Sequence, residues 1–137
     1  MADLLLDLIN RLRLLAIVVG DGIDSFRDFM PDAPDKLVVL SEYAGSGTQT
    51  GAAGVARSVQ VMVRTSRDDP EWAKNKAWEI FNVLDTPGDR ILDTREHVAR
   101  GTRWAVIAAR QTPSRIRIDQ NARSIYGFNL GVVTSRD

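Results

Sequence analysis

Three groups of residues have the types and spacing to do chemistry. The first is the run AGSGTQTGAAG over residues 44–54, where Gly45, Gly47 and Gly51 follow an apolar segment with GxGxxxG spacing. That spacing is close to the glycine fingerprint of loops that hold a pyrophosphate. Such loops work by opening a helix, whose first N–H groups and dipole bind the anion. After Gly54, however, Val59, Val61 and Val63 alternate with Ser58, Gln60, Met62 and Arg64, a period of two that predicts a strand. The Walker pattern also fails, because neither its second glycine nor its lysine is in place. The glycines therefore read as the tip of a long β-hairpin.

The second group is Asp93, Glu96 and His97 in LDTREHVARG. They have acid–base character, but a lone histidine beside carboxylates on a loop is the ordinary composition of a solvated surface. The third is the pair Asp32 and Asp35 in PDAPDK. Their oxygens suit a hard cation, yet they lack the regular ligand spacing of a calcium loop. No serine, base and orienting acid stand at a recognisable spacing. The sequence thus predicts no catalytic residue, no cofactor and no metal site, and the protein is expected not to be an enzyme.

Composition narrows the field in the same direction. With no cysteine and one histidine in 137 residues, thiol nucleophiles, cysteine zinc sites, iron–sulfur clusters and disulfide frameworks are excluded. Eighteen basic residues balance eighteen acidic ones, so no charge excess points to nucleic acid or a membrane surface. The apolar start MADLLLDLINRLRLLAIVV is interrupted by Asp3, Asp7, Arg11 and Arg13. It falls short of the roughly 20 apolar residues needed to span a bilayer, and a soluble chain made in the cytoplasm is expected.

The elements that would carry these residues follow from periodicity. Leu4, Leu5, Leu8, Ile9, Leu12 and Leu15 recur at helical spacing and predict a helix over about residues 3–15, ended by Gly20 and Gly22. Residues 23–36 mix Phe26, Phe29 and Met30 with Pro31 and Pro34, and predict an irregular segment pinned by buried apolar anchors. A hairpin is expected over about 37–65, with strands at Leu37–Tyr43 and Ala56–Thr65. Asp69 and Pro70 open a second helix over about 69–85, with Ala73, Ala77, Ile80, Phe81 and Leu84 as its apolar stripe and DTPG as its stop. Trp72 and Trp78 fall at the shoulders of that stripe, where they either cover the rim of the core or meet a neighbouring subunit. Strands fill about residues 103–134, with a turn at Asp119–Arg123 and with Tyr126, Phe128, Leu130 and Val132 on one face of the last. A single domain over 1–137 is expected.

Two stretches carry a family resemblance. MPDAPDKLVVLSEYAG (Met30–Gly45) is followed by RSVQVMVRTSRDDPEWAKNKAWEIFNVLD (Arg57–Asp85), and RQTPSRIRIDQNARSIYGFNLGV (Arg110–Val132) comes later. In their order of turn, strand, glycine-rich gap, strand, helix and closing strands they resemble the tail terminator or minor capsid proteins of long-tailed, siphovirus-type bacteriophages. The chain departs from that family's commoner pattern in the last hairpin, where Asp119, Gln120, Asn121 and Ala122 stand in place of an aspartate–glycine pair.

The resemblance implies an α+β subunit, with two main helices packed on a mixed, mostly antiparallel sheet. It further implies a homo-hexameric ring at the head–tail junction of the virion, capping the tail tube protein and joining it to the head connector or stopper, with DNA passing through without sequence-specific binding. On this reading Gly45, Ser46, Gly47, Thr48, Gln49, Thr50 and Gly51 form a partner-binding loop, and Trp72 and Trp78 lie at a subunit interface. Two other readings stay open: another head-to-tail adaptor or head completion protein of the same particle, and a small nucleotide-binding enzyme using the loop from Gly45 to Gly54.

Overall fold

The valine alternation before Arg64 does form a strand, and the fold is assembled around it. The computed structural model describes residues 4–48, 54–84, 86–90 and 105–135. Its elements are, in order, α1 (Leu4–Leu14), β1 (Ser25–Arg27), β2 (Leu37–Thr48), β3 (Gly54–Arg64), α2 (Pro70–Leu84), β4 (Thr86–Arg90), β5 (Ala105–Ala109), β6 (Ser114–Ile118) and β7 (Ser124–Ser135). The strands make one sheet in the order β1-β2-β3-β7-β5-β4, with β6 also paired to β7. Only β1 and β2 run parallel. The result is the mixed, mostly antiparallel α+β architecture that was expected.

β3 is the axis of this sheet. It pairs with β7 along its whole length, from Gly54↔Ser135 to Arg64↔Ile125, and with β2 from Leu37↔Arg64 to Thr48↔Val55. Val59, Val61 and Val63 share one face with Val38 and Leu40 of β2 and with Phe128, Leu130 and Val132 of β7, and both helices pack there. On α1, Leu8, Ile9 and Leu12 are fully buried, each contributing roughly 1.5–3 kcal/mol. On α2, Ala73, Ala77, Ile80 and Leu84 form the buried stripe, and the edge of Phe81 meets the Phe128 ring with centroids 5.6 Å apart.

α1 ends sooner than its leucine pattern predicts. Ile17 N–H reaches the Leu12 carbonyl at 2.9 Å and Ala16 N–H reaches Arg13 at 3.0 Å, the paired bonds of a Schellman cap. Ala16 sits in the left-handed region at φ 58°, and Leu15 is turned out to solvent. The stop is therefore local, four residues before Gly20. Two further strands were not read from the sequence. β1 lies within the segment expected to be irregular, and β4 lies across the DTPG stop, with Pro87 and Gly88 inside it. Both are the outermost strands of the sheet, where a proline's missing donor and a short length are tolerated.

The glycine run also differs from expectation. β2 continues through Gly45, Ser46, Gly47 and Thr48, with a bulge between Tyr43 and Gly47, so the slack in the hairpin is shorter than the eleven residues of AGSGTQTGAAG. β3 is already fixed on β7 and offers a complete row of backbone partners. That template overrides the weak strand preference of glycine.

The left-handed alanine gives a first prediction. Glycine adopts this backbone without the Cβ penalty, so Ala16→Gly is expected to stabilise the fold by about 1 kcal/mol, read as a higher denaturant midpoint with an unchanged slope.

Candidate interaction surfaces

The proline-rich segment after β1 leaves backbone carbonyls that need donors, since prolines hold the chain extended and supply none themselves. Two arginines fill that need. Arg64, at the end of β3 and buried, donates Nε to the Asp35 carbonyl at 3.1 Å. Its Nη2 donates to the carbonyls of Asp32 at 3.1 Å and Pro34 at 2.6 Å. Arg123, the residue before β7, donates Nη1 to the Asp32 carbonyl at 2.8 Å and to Asp35 Oδ1 at 3.0 Å, and Nη2 to Asp32 Oδ1 at 3.0 Å. The anchor of the segment is thus charged. Phe26 and Met30 are half-buried and Phe29 is exposed, which corrects the expectation of an apolar pin.

The same Arg123 closes the β6–β7 hairpin. Its Nε donates to Asp119 Oδ2 at 2.8 Å, while Asp119 Oδ1 accepts the backbone N–H groups of Asn121 and Arg123, both at 2.9 Å. Ala122 N–H bonds the Asp119 carbonyl at 3.0 Å and Ala122 takes φ 60°. This is a three-residue loop with its last residue left-handed. Burial works to raise the pKa of Asp119, but the Arg123 N–H, the Arg123 guanidinium and the Asn121 N–H outweigh it, and the net shift is downward. Arg64 shifts down, first through burial and then through the charge of Arg123; a guanidinium stays charged all the same.

On the helix face, Arg57 grips Glu42 in a two-pronged pair, Nε to Oε2 and Nη2 to Oε1, both at 2.7 Å. This half-exposed pair contributes up to about 1 kcal/mol and marks where the apolar core ends. Beyond it β2 and β3 run on to Thr48 and Gly54. Of the predicted loop, Gly45, Ser46, Gly47 and Thr48 are therefore strand residues; Gln49, Thr50 and Gly51 lie outside the described residues, as do Asp93, Glu96 and His97.

The two tryptophans sit in different settings. Trp72 lies between two ammonium groups, Lys36 Nζ at 5.4 Å and Lys76 Nζ at 5.6 Å from its ring centroid. Lys36 also pairs with Asp69 at 2.8 Å, and Lys76 donates to the Ile17 carbonyl at 3.0 Å. Trp72 thereby ties the start of α2 to the start of β2 and the exit of α1. Asp69 stands just before α2, where its carbonyl accepts the Trp72 N–H at 3.3 Å, and its Oδ2 accepts from Lys36. Trp78 stacks edge-on against Phe81 at 5.2 Å and is exposed.

For nucleotide chemistry the geometry after the glycine run is decisive. The chain enters β3 at Gly54, so the helix N-terminus that holds a phosphate has no counterpart there. Among the described residues no group of three or more histidine, aspartate or glutamate side chains could hold a metal ion. No helix there is long and apolar enough to cross a membrane.

The described residues form a two-layer α+β unit, with both helices packed on one face of the sheet. Residues 13–135 match the bacteriophage tail terminator protein family, and the chain belongs to that family. It is a structural protein of a phage-type virion tail. A chain from the virion of a native gene transfer agent particle has the same fold, with a TM-score of 0.62 and 20% identity over 94% of this chain and 92% of that one. No curated protein matches.

The Arg123 centre predicts a pH signature. Because the folded pKa of Asp119 lies below its unfolded value of about 3.9, its contribution is complete above that pH and is lost as pH falls through the folded value. Asp119→Asn should lower stability at neutral pH and flatten the acid limb of a stability–pH profile. Arg123→Ala, which removes four donations at once, should cost roughly 2–3 kcal/mol, measured by urea unfolding at pH 7.

Proposed function

We propose that this protein forms a ring on the end of the tail tube and joins it to the connector of the head. The observation that carries this reading is the family match across residues 13–135. A ring of copies uses heterologous contacts, which require two different faces on each subunit. A chain with its helices on one face of the sheet and, among the described residues, no strand beyond β1 or β6 can supply them. In this reading six subunits surround the DNA path. The balance of eighteen basic and eighteen acidic residues avoids the strong phosphate attraction that would hold the duplex in the channel. The protein acts by assembly, without catalysis.

The hairpin end is assigned to the tube, the connector or a neighbouring subunit, through Gly45, Ser46, Gly47, Thr48, Gln49, Thr50 and Gly51. Extended backbone with small side chains lets a partner approach the main chain closely. The helix layer adds Trp72 and Trp78 to the subunit contact. Trp78 offers its ring directly, while Trp72 holds the α1 and α2 ends in place behind it.

Native mass spectrometry and light scattering, with and without purified tail tubes, test the ring. A six-fold species, at least on tube ends, is the expected result; a strictly monomeric protein that ignores tubes refutes it. Removing residues 47–51 should leave the melting temperature within a few degrees, because Val59–Val63 and their partners are untouched, and should abolish joining of heads to tails in a complementation assay. Location of the protein in the head shell, rather than at the tube end, favours a head completion role.

A further inference from the structure

We infer that the ring contact includes, beside the helix-layer tryptophans, the β6 edge of one subunit against the acidic, apolar groove beside β1 of the next. This inference rests on the ring reading above and names its two faces. The cross-sheet register places them. Ser25↔Val38, Val38↔Val63, Val63↔Tyr126 and Tyr126↔Arg115 form one row of residues running from β1 to β6. Its ends are about 19 Å apart, at roughly 4.8 Å per strand. β1 and β6 therefore stand on opposite sides of the β2-β3-β7 centre of the sheet, as the two different faces of a heterologous contact must.

The chemistry of the two ends is matched. β6 is exposed along its whole length, and its outer edge carries no strand among the described residues. It holds Arg115 and Arg117 and no acid, a charge of +2, together with Ile116 and Ile118, which are 42% and 52% exposed. It is held close to the sheet at Gly127, where an added Cβ would come within 2.6 Å of both Ile116 Cδ1 and the Val61 carbonyl. At the other end, Asp21–Asp28 contains three aspartates and one arginine, a charge of −2 within the segment; Asp21 is shared with Arg27, Asp24 accepts the Val19 and Gly20 N–H groups and Asp28 Oδ1 accepts the Glu42 N–H, so a neighbour's guanidinium would bind them alongside these partners. Ile23 and Phe29 there are each 60% exposed.

A groove of about 420 Å³ opens between Asp21, Gly22, Phe26, Arg27, Asp28 and Phe29. The outer backbone of β1 is partly used already, since Gly22 N–H bonds the Ser25 carbonyl at 2.7 Å. The contact is therefore made by side chains: the isoleucines of β6 enter the groove beside Phe29, and Arg115 and Arg117 meet the aspartates. Among the described residues, five of the nine exposed large hydrophobics fall between Leu14 and Phe29 and two fall on β6. A pairing of these faces between neighbouring copies covers Ile23, Phe29, Ile116 and Ile118, and a foreign partner would have to reproduce the charge of each face.

The chain has no cysteine, which makes site-directed cross-linking clean. Phe29→Cys and Ile118→Cys are made singly and together in the full chain, and melting curves check that each exposed site leaves the fold intact. With a short bismaleimide, the double variant should give a denaturant-resistant ladder ending at the ring size. A mixture of the two single variants should give dimers and nothing larger, and each single variant alone should remain monomeric. Arg115→Glu with Arg117→Glu should reduce the ring fraction by roughly tenfold. Rings that form normally in the charge-reversed variant, or with no cross-link in the double variant, overturn this interface and leave the ring reading standing. A single variant that cross-links to itself overturns the heterologous contact. Absence of any ring, even on tail tubes, removes the reading on which the inference rests.

Discussion

The fold depends on the pairing of β3 with β2 on one side and β7 on the other over almost its full length. Successive strand residues alternate faces, so this one register decides what every neighbouring residue meets. It aligns Val59, Val61 and Val63 with the apolar rows of β2 and β7, giving the helices a continuous surface. The same alternation turns Arg64 to the opposite face, where the proline-rich segment lies. A slip of one residue would bury the polar row and expose the valines.

That opposite face is organised by charge. Arg64 and Arg123 collect carbonyls and carboxylates from Asp32, Pro34, Asp35 and Asp119, drawing the β1–β2 connection, the end of β3 and the β6–β7 hairpin to one point. A guanidinium presents several donors in a fixed plane, which suits a segment rich in acceptors and poor in N–H groups. Stability here comes from hydrogen bonding to charged groups, whereas on the helix face it comes from apolar burial.

These two sources leave the ends of the sheet comparatively free. Among the described residues β6 pairs with β7 alone, and β1 is a three-residue strand against β2. For a monomeric protein such ends, with exposed isoleucine and phenylalanine, invite association. The residues that build the core are distinct from the exposed apolar residues on these strands and the segments beside them.

The parts of this protein legible in its sequence were those set by local periodicity. The stripes of α1 and α2, the alternation in β3 and β7, and the strand after Gly54 that rules out a phosphate cradle all follow from spacing within a dozen residues. The turn at Asp119 was legible too, because an aspartate side chain closes it over its own next few residues. The family itself was legible in the order of short motifs. Tertiary structure decided the rest. β1 and β4 are strands because a neighbouring strand offers them partners, and Gly45–Thr48 joins a ladder because β3 is already held by β7. Arg64 and Arg123 find acceptors 29 to 32 and 88 to 91 residues away, a separation that no periodic pattern encodes. Long-range register likewise sets which residues of β1 and β6 stand in one row across the sheet, since hydrophobic period fixes which way a side chain faces and register fixes what it faces.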